Sequence, residues 1–461
     1  MPLIGAFIVP HPPLIVPEIG RGEQTKIQKT IDAYQNIAKQ IAILKPDTII
    51  LSTPHSALYS DYFHISPGQS AEGDFKMFGA PFVKMKVDYD TLLIDMITSA
   101  ANEQGIDAGT SGQKDKALDH GTMVPLYFIN KQYQGYQLIR ISLSGFSPII
   151  HYRFGKSIGV TIELSGKKVV WVASGDLSHK LKKNGPYGLS KEGPIFDDVI
   201  TTAISKGDFM KFLTFDESFC EKAAECGLRS FIMMAGALDG RQVQPELLSY
   251  EGPFGVGYAV ASFKIMDVDE TRHFDQIYET NETKKIENLK LTEDSYVSLA
   301  RKSLEYYIKN HHPLKRPSDL PNEMLEHQAG VFVSIKMNGR LRGCIGTIHP
   351  TTPSIADEII QNAISSGTQD YRFNRVSEDE LPNLIYSVDV LGKPEPIQSI
   401  NELDVKRYGV IVRLGTKSGL LLPNLEGIDT PEDQVKIALR KGGIREDQPY
   451  TMQRFEVIRH Y

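Results

Sequence analysis

Apolar residues run almost unbroken from residue 4 to residue 9 and stop at Pro10-His11-Pro12-Pro13. A short run of this kind, rich in β-branched residues, predicts a buried strand. Proline cannot extend a sheet ladder, so His11 falls on a stiff corner at the strand's carboxyl end. The period then changes. Ile27, Ile31, Tyr34, Ile37, Ile41 and Leu44 recur at threes and fours and predict a helix over 20–44, which Lys45-Pro46-Asp47 closes. Thr48-Ile49-Ile50-Leu51-Ser52 predicts a second buried strand that runs straight into Thr53-Pro54-His55-Ser56. Strand, helix and strand make a βαβ unit, with both histidines at one edge of a parallel sheet. Open α/β sheets hold their ligands at that edge.

Further along, 57–80 reads as loop and 91–104 as helix. Asp119-His120-Gly121-Thr122 follows a polar stretch and leads into the apolar Met123-Val124-Pro125, which puts His120 in a turn. A strand over 136–143 and an amphipathic helix over 147–164 come next. The strand over 168–173 ends in Ser174-Gly175-Asp176-Leu177-Ser178-His179, a third strand followed by a histidine. Asp176 and His179 are one helical turn apart, so their side chains meet if that loop curls. The segment 193–240 is mostly helical in pattern, and its Cys220 and Cys226 read as small packed hydrophobes. Glu251 stands before the turn Gly252-Pro253-Phe254-Gly255 and a last strand.

From 266 to 290 charged residues dominate without an apolar period, which predicts a linker between a first domain, 1–265, and a second, 291–461. The second opens with a helix capped by Thr292 and carrying the stripe Val297, Ala300, Leu304 and Tyr307. Strands are expected over 330–337, 385–391 and 409–414, and helices near 354–365 and 432–441. The fold class is therefore α/β for the first domain, with a mainly parallel central sheet flanked by helices. For the second it is α+β.

At 461 residues the chain is long enough for two or three domains. A net charge of −6 with no concentrated basic face argues against nucleic acid as a partner. The opening apolar run is too short and too proline-rich to span a membrane. Three cysteines without a CxxC pair argue against a disulfide framework, and the expected location is the cytoplasm. Two imidazoles and a carboxylate on one face of an ion form the non-haem Fe(II) arrangement, and His11, His55 and Glu251 have the residue types for it.

Residues 1–265 resemble the LigB-type class III extradiol dioxygenase superfamily, which includes the Memo-like proteins. The carrying residues are Pro10-His11-Pro12-Pro13, Thr53-Pro54-His55-Ser56, Asp119-His120-Gly121-Thr122, Ser174 to His179 and Glu251-Gly252. The resemblance implies Fe(II), with Zn or Mn as substitutes, held by His11, His55 and Glu251. His179 would be the acid/base residue, His120 a donor in the pocket, and the substrate a small catechol-type aromatic. Memo-like relatives carry a cysteine in place of the carboxylate ligand, so Glu251 places the chain on the dioxygenase-like side. Asp176 as the residue that orients His179 is an inference from spacing alone. The alternatives are a hydrolase or lyase that uses the metal without dioxygen, and a Memo-like metal-binding regulatory protein without turnover.

In the second domain the sharpest string is Leu341-Arg342-Gly343-Cys344-Ile345-Gly346. With Asp370-Tyr371-Arg372-Phe373, Tyr408-Gly409-Val410, Gly419 to Pro423 and Lys441-Gly442-Gly443-Ile444, it resembles the AMMECR-type domain. Arg342 would lower the pKa of the Cys344 thiol, and His349 would serve as its base. The two families also occur as separate proteins beside a radical-SAM protein, the AmmeMemoRadiSam system, which implies such a partner here. The sequence allows a homo-oligomer and does not decide it.

Overall fold

In the computed structural model, residues 2–112, 117–337, 339–425 and 427–461 are described, and the chain divides into two compact units, Met1–Glu279 and Thr280–Tyr461. In the first unit the opening apolar run forms β1 (Leu3–Val9), followed by α1 (Gln28–Leu44) and β2 (Thr48–Thr53). Then come α2 (Thr91–Glu103), α3 (His120–Ile129), β3 (Gln137–Ser142), α4 (Pro148–Ser165) and β4 (Val169–Ser174). The unit finishes with α5 (Glu192–Lys206), α6 (Leu228–Ala237), β5 (Arg241–Glu251) and β6 (Tyr258–Val268).

The sheet order is β3-β2-β4-β1-β6-β5. The strands β3, β2, β4 and β1 run parallel. The last two, β6 and β5, add an antiparallel hairpin at the β1 edge. Every residue of β2 and β4 is buried, which is why both strands read as continuous apolar runs rather than alternations. The register pairs Val9 with Ser174 and Ser52 with Ala173, so β1, β2 and β4 end at one level. His11, His55 and the turn after Ser174 emerge there together.

Helices α4 and α6 cross with their backbones in contact. A Cβ on Gly155 would lie 1.9 Å from the Met233 carbonyl oxygen, and one on Gly236 would lie 2.0 Å from that of Tyr152. Gly155 and Gly159, four residues apart on one face, make the crossing possible. The stretch expected as loop contains strand Ser70–Phe75, paired with Ala80–Asp88 in an antiparallel ribbon. Its Val83-Lys84-Met85-Lys86-Val87 alternation was legible as a strand, but the Gly- and Ser-rich context around it hid the signal.

The charged stretch read as a linker contains the boundary between the two units and is helical, α7 (Phe274–Thr292). Of its residues only Ile286 is buried, so the helix is polar on nearly all sides and leaves no apolar period in the sequence. The second unit continues with α8 (Ser295–Asn310), β7 (Val331–Met337), β8 (Arg340–Gly346) and α9 (Ile355–Thr368). It ends with β9 (Leu384–Leu391), β10 (Tyr408–Leu414), β11 (Lys417–Leu421), α10 (Pro431–Lys441) and β12 (Thr451–His460). The strands form a curled antiparallel sheet of order β8-β7-β9-β12-β10-β11, joined at β12 by the short strand Glu395–Ile397. The cap of α8 is Asp294, whose carboxylate accepts from the Tyr296 and Val297 amides; Thr292 instead ends α7.

Candidate metal centre

His11 is fixed from three directions. The Tyr34 hydroxyl donates to the Pro10 carbonyl, and the His11 amide donates to Asp176 Oδ1 at 2.8 Å. Its Nδ1 lies 3.0 Å from Ser174 Oγ, and that hydroxyl gives its own proton to the Gly121 carbonyl at 2.6 Å. Ser174 can therefore only accept from His11, which makes Nδ1 the protonated nitrogen and leaves a lone pair on Nε2. That lone pair faces His55 Nε2 at 2.9 Å.

The third side chain that meets the two histidines is Cys226, not Glu251. A Cβ on Gly175 would lie 2.1 Å from Gly227 Cα, so the turn after β4 and the entry to α6 touch backbone to backbone. This crossing seats Cys226 against Asp176, whose amide donates to Cys226 Sγ at 3.3 Å. The sulfur then lies 3.7 Å from His11 Nε2, and the ligand atoms of His11, His55 and Cys226 all fall within 4.8 Å of one another. Two nitrogens about 2.1 Å and a sulfur about 2.3 Å from one tetrahedral ion stand roughly 3.4 Å (N to N) and 3.6 Å (N to S) apart. The residues fit a metal ion.

Glu251 sits elsewhere. Its Oε2 accepts from the Thr30 amide and the Thr30 hydroxyl, each at 2.8 Å, and so satisfies an open N–H in the first turn of α1. The reason is topological: β5 is the edge strand, two strand spacings or about 10 Å beyond β1. The expectation of Glu251 as a ligand, and of Cys226 as mere packing, is corrected on both counts. With Cys226 beside the histidines, Glu251 does not set this chain on the dioxygenase-like side.

His120 opens α3, capped by Asp119, which accepts from the Thr122 amide and hydroxyl, from Thr53 and from buried Arg140. Its ring centroid is 4.0 Å from that of His55 and 5.4 Å from that of His11. A Cβ on Gly121 would lie 2.4 Å from Thr53 Oγ1, so only glycine lets His120 enter here. His179 stacks on Tyr187 with centroids 5.1 Å apart and lies within electrostatic reach of His11 and His55. Asp176 does not orient His179; its carboxylate holds the His11 amide instead. His179 owes its place to the Tyr187 stack and to its amide, which donates to the Ala224 carbonyl at 3.3 Å.

Burial, and then the neighbouring imidazoles, hold His11 well below the usual histidine range. Burial followed by His55 takes His120 and His179 down to about 4. These rings are neutral at pH 7, as metal ligands and proton acceptors must be. Burial pushes Asp176 up to about 7 and raises the Cys226 thiol, so a cation bound there displaces a thiol proton. Beside His55 opens a cavity of about 470 Å³ walled by Leu58, His64, Met77, Asp119 and Arg140.

The grouping expected around Cys344 does not form. Arg342 pairs with Glu380 at 2.7 and 2.9 Å, and His349 meets Arg413. Cys344 Sγ accepts from Ser334 at 3.2 Å, and burial raises its thiol rather than lowering it. The register of β8 against β7 shifts between Gly343 and Leu341, so Arg342 sits at that irregularity and reaches Glu380, while Cys344 stays across from Ser334. Among the described residues no helix is long and apolar enough to cross a membrane.

Residues 5–261 match the family described as the catalytic LigB subunit of aromatic ring-opening dioxygenase, and 297–460 match AMMECR1. Protein CA_C1420 of Clostridium acetobutylicum is 42% identical over 470 aligned positions, covering 100% of this chain and 99% of its own. A Thermotoga maritima protein is 46% identical over 36% of this chain and 98% of its own length. Among solved structures, protein PH0010 of Pyrococcus horikoshii is 33% identical over 36% of this chain and 88% of its own, with a TM-score of 0.34. The chain thus belongs to the LigB family over its first unit and continues into an AMMECR1 domain.

Proposed function

We propose that the first unit is a metal-dependent enzyme acting on a small, oxygen-bearing aromatic substrate of the catechol type, with His11, His55 and Cys226 as metal donors. The observation that carries this reading is the meeting of those donors with the neutral imidazoles of His120 and His179, whose ring nitrogens have no hydrogen-bond partner among the described residues. A cation held there supplies positive charge that favours the deprotonated form of a substrate hydroxyl. His179, unprotonated at pH 7, accepts that proton at its ring and can return it later in the reaction. His120 flanks the same space from α3, with the Phe78 ring packed edge-on against it at 5.4 Å between centroids.

The sulfur donor favours a second reading. Thiolate with two imidazoles suits Zn or Cu(I) as well as Fe(II), and supports hydrolase or lyase chemistry without dioxygen. The test is metal analysis of protein purified without oxygen, then oxygen uptake on a panel of catechols by the wild type and His179→Ala. Oxygen uptake that vanishes in the variant supports the first reading. Turnover under strict anaerobiosis supports the second. A fully metallated protein inert toward diols, phenols and esters leaves only a metal-binding regulatory role. The AMMECR1 unit is proposed as accessory, and the radical-SAM partner is to be sought by co-purification.

A further inference from the structure

The register of β6 against β1 pairs Ile8 with Ala261. Carried past the end of β1, it brings Tyr258, the first residue of β6, level with His11. The Tyr258 side chain is 3% exposed, and its hydroxyl has no hydrogen-bond partner among the described residues. Other tyrosines in this unit are engaged: Tyr34 donates to Pro10, Tyr152 to Asp239 and Tyr250 to Asp197. Tyr89 in this unit and Tyr386 in the second are also without a hydrogen-bond partner, but their hydroxyls are sealed from solvent; that of Tyr258 is not.

The preceding residue, Gly257, accepts from the Leu177 amide at 2.8 Å and donates to the Ser178 carbonyl at 2.9 Å, which lays Tyr258 beside the turn from Asp176 to His179. Its phenol is within electrostatic reach of Asp176 and Tyr187. Asp176 touches both His11 and Cys226, while Tyr187 lies on His179. Tyr258 therefore lies beside the turn that runs from Asp176, next to the metal donors, to His179, the residue read as the base. A hydroxyl that remains accessible and has no protein partner is free to donate to a ligand that enters beside it. Burial, then Asp176, raises the phenol further above neutrality, so it donates rather than ionises.

We propose that Tyr258 is a substrate-contacting residue of the metal pocket, whose hydroxyl donates a hydrogen bond to an oxygen of the bound substrate. This rests on the metal-enzyme reading above. It divides the work: His179 takes a proton from one substrate hydroxyl, and Tyr258 stabilises the negative charge that develops on oxygen. The preferred ligands are those with an anionic oxygen beside the aromatic ring.

The test uses full-length protein loaded with Zn(II), with nitrocatechol as a coloured probe whose absorbance reports both binding and ionisation. Tyr258→Phe removes a single oxygen and keeps the ring. The expected result is affinity about tenfold weaker, with an upward shift in the pH at which the bound probe ionises, at unchanged metal content and melting temperature. A merely structural role for Tyr258 would leave the ionisation of the bound probe in place. Equal affinity and equal probe ionisation in the variant would overturn the assignment of Tyr258 alone. A fully metallated wild type that fails to bind the probe would overturn both this inference and the reading beneath it.

Discussion

Exchanging the third donor separates two descriptions of the centre, one with Cys226 and one with Glu251. Apparent binding energies of structural zinc sites, roughly 10–16 kcal/mol shared over four donors, give about 3 kcal/mol for each. Cys226→Ser keeps an oxygen able to accept from the Asp176 amide, as the sulfur does at 3.3 Å, so the turn is preserved while the soft donor is lost. The expected loss of metal affinity is therefore about 10²-fold, with little change in metal-free stability. Glu251→Ala removes two hydrogen bonds to Thr30 at the start of α1. Capping contacts of this kind contribute about 1–2 kcal/mol, so the variant loses stability but keeps the metal. Metal titration against a chromophoric chelator, with urea unfolding of the metal-free proteins, measures both quantities. If Glu251→Ala loses the metal and Cys226→Ser retains it, the donor set described here is wrong.

Metal affinity should rise about tenfold per pH unit between pH 6 and 8, because the raised Cys226 thiol surrenders one proton while the imidazoles are already neutral. A slope of two protons or none, read by chelator competition, would contradict this. Gly155→Ala drives a Cβ into the Met233 carbonyl and should cost about 1–3 kcal/mol, measured by denaturant unfolding. His151 is wholly buried and lowered to about 3; it accepts from the Ser144 amide and donates to the Ser147 carbonyl. Its folded pKa lies below the unfolded one, so the unfolded chain binds the extra proton, and stability is lost as pH falls from about 6.5 toward 3. His151→Gln should lower the pH slope of stability between pH 6 and 4 by about 1.4 kcal/mol per unit, against a lower baseline at pH 7.

Local signals in the chain determined the parallel strands, the histidines on their ends and the helix periods, because each depends on residues a few positions apart. The Pro-flanked corner at His11 and the strand leading into His55 needed nothing distant to be read. The LigB and AMMECR1 segments were legible for a related reason: their motifs are short strings of fixed geometry. Only the tertiary structure decided the third donor. Cys226 reaches His11 across 215 residues of sequence through the contact of Gly175 with Gly227, and nothing in the residues around Glu-Cys-Gly announces that crossing. Glu251 looked better placed beside its Gly-rich turn, but strand order is a property of the whole sheet and put it on the edge. The same holds for Tyr258, whose hydroxyl is notable only because no described residue pairs with it. Chemistry at a strand end can be read along the chain; which side chains complete it is set by the packing of elements that are distant in sequence.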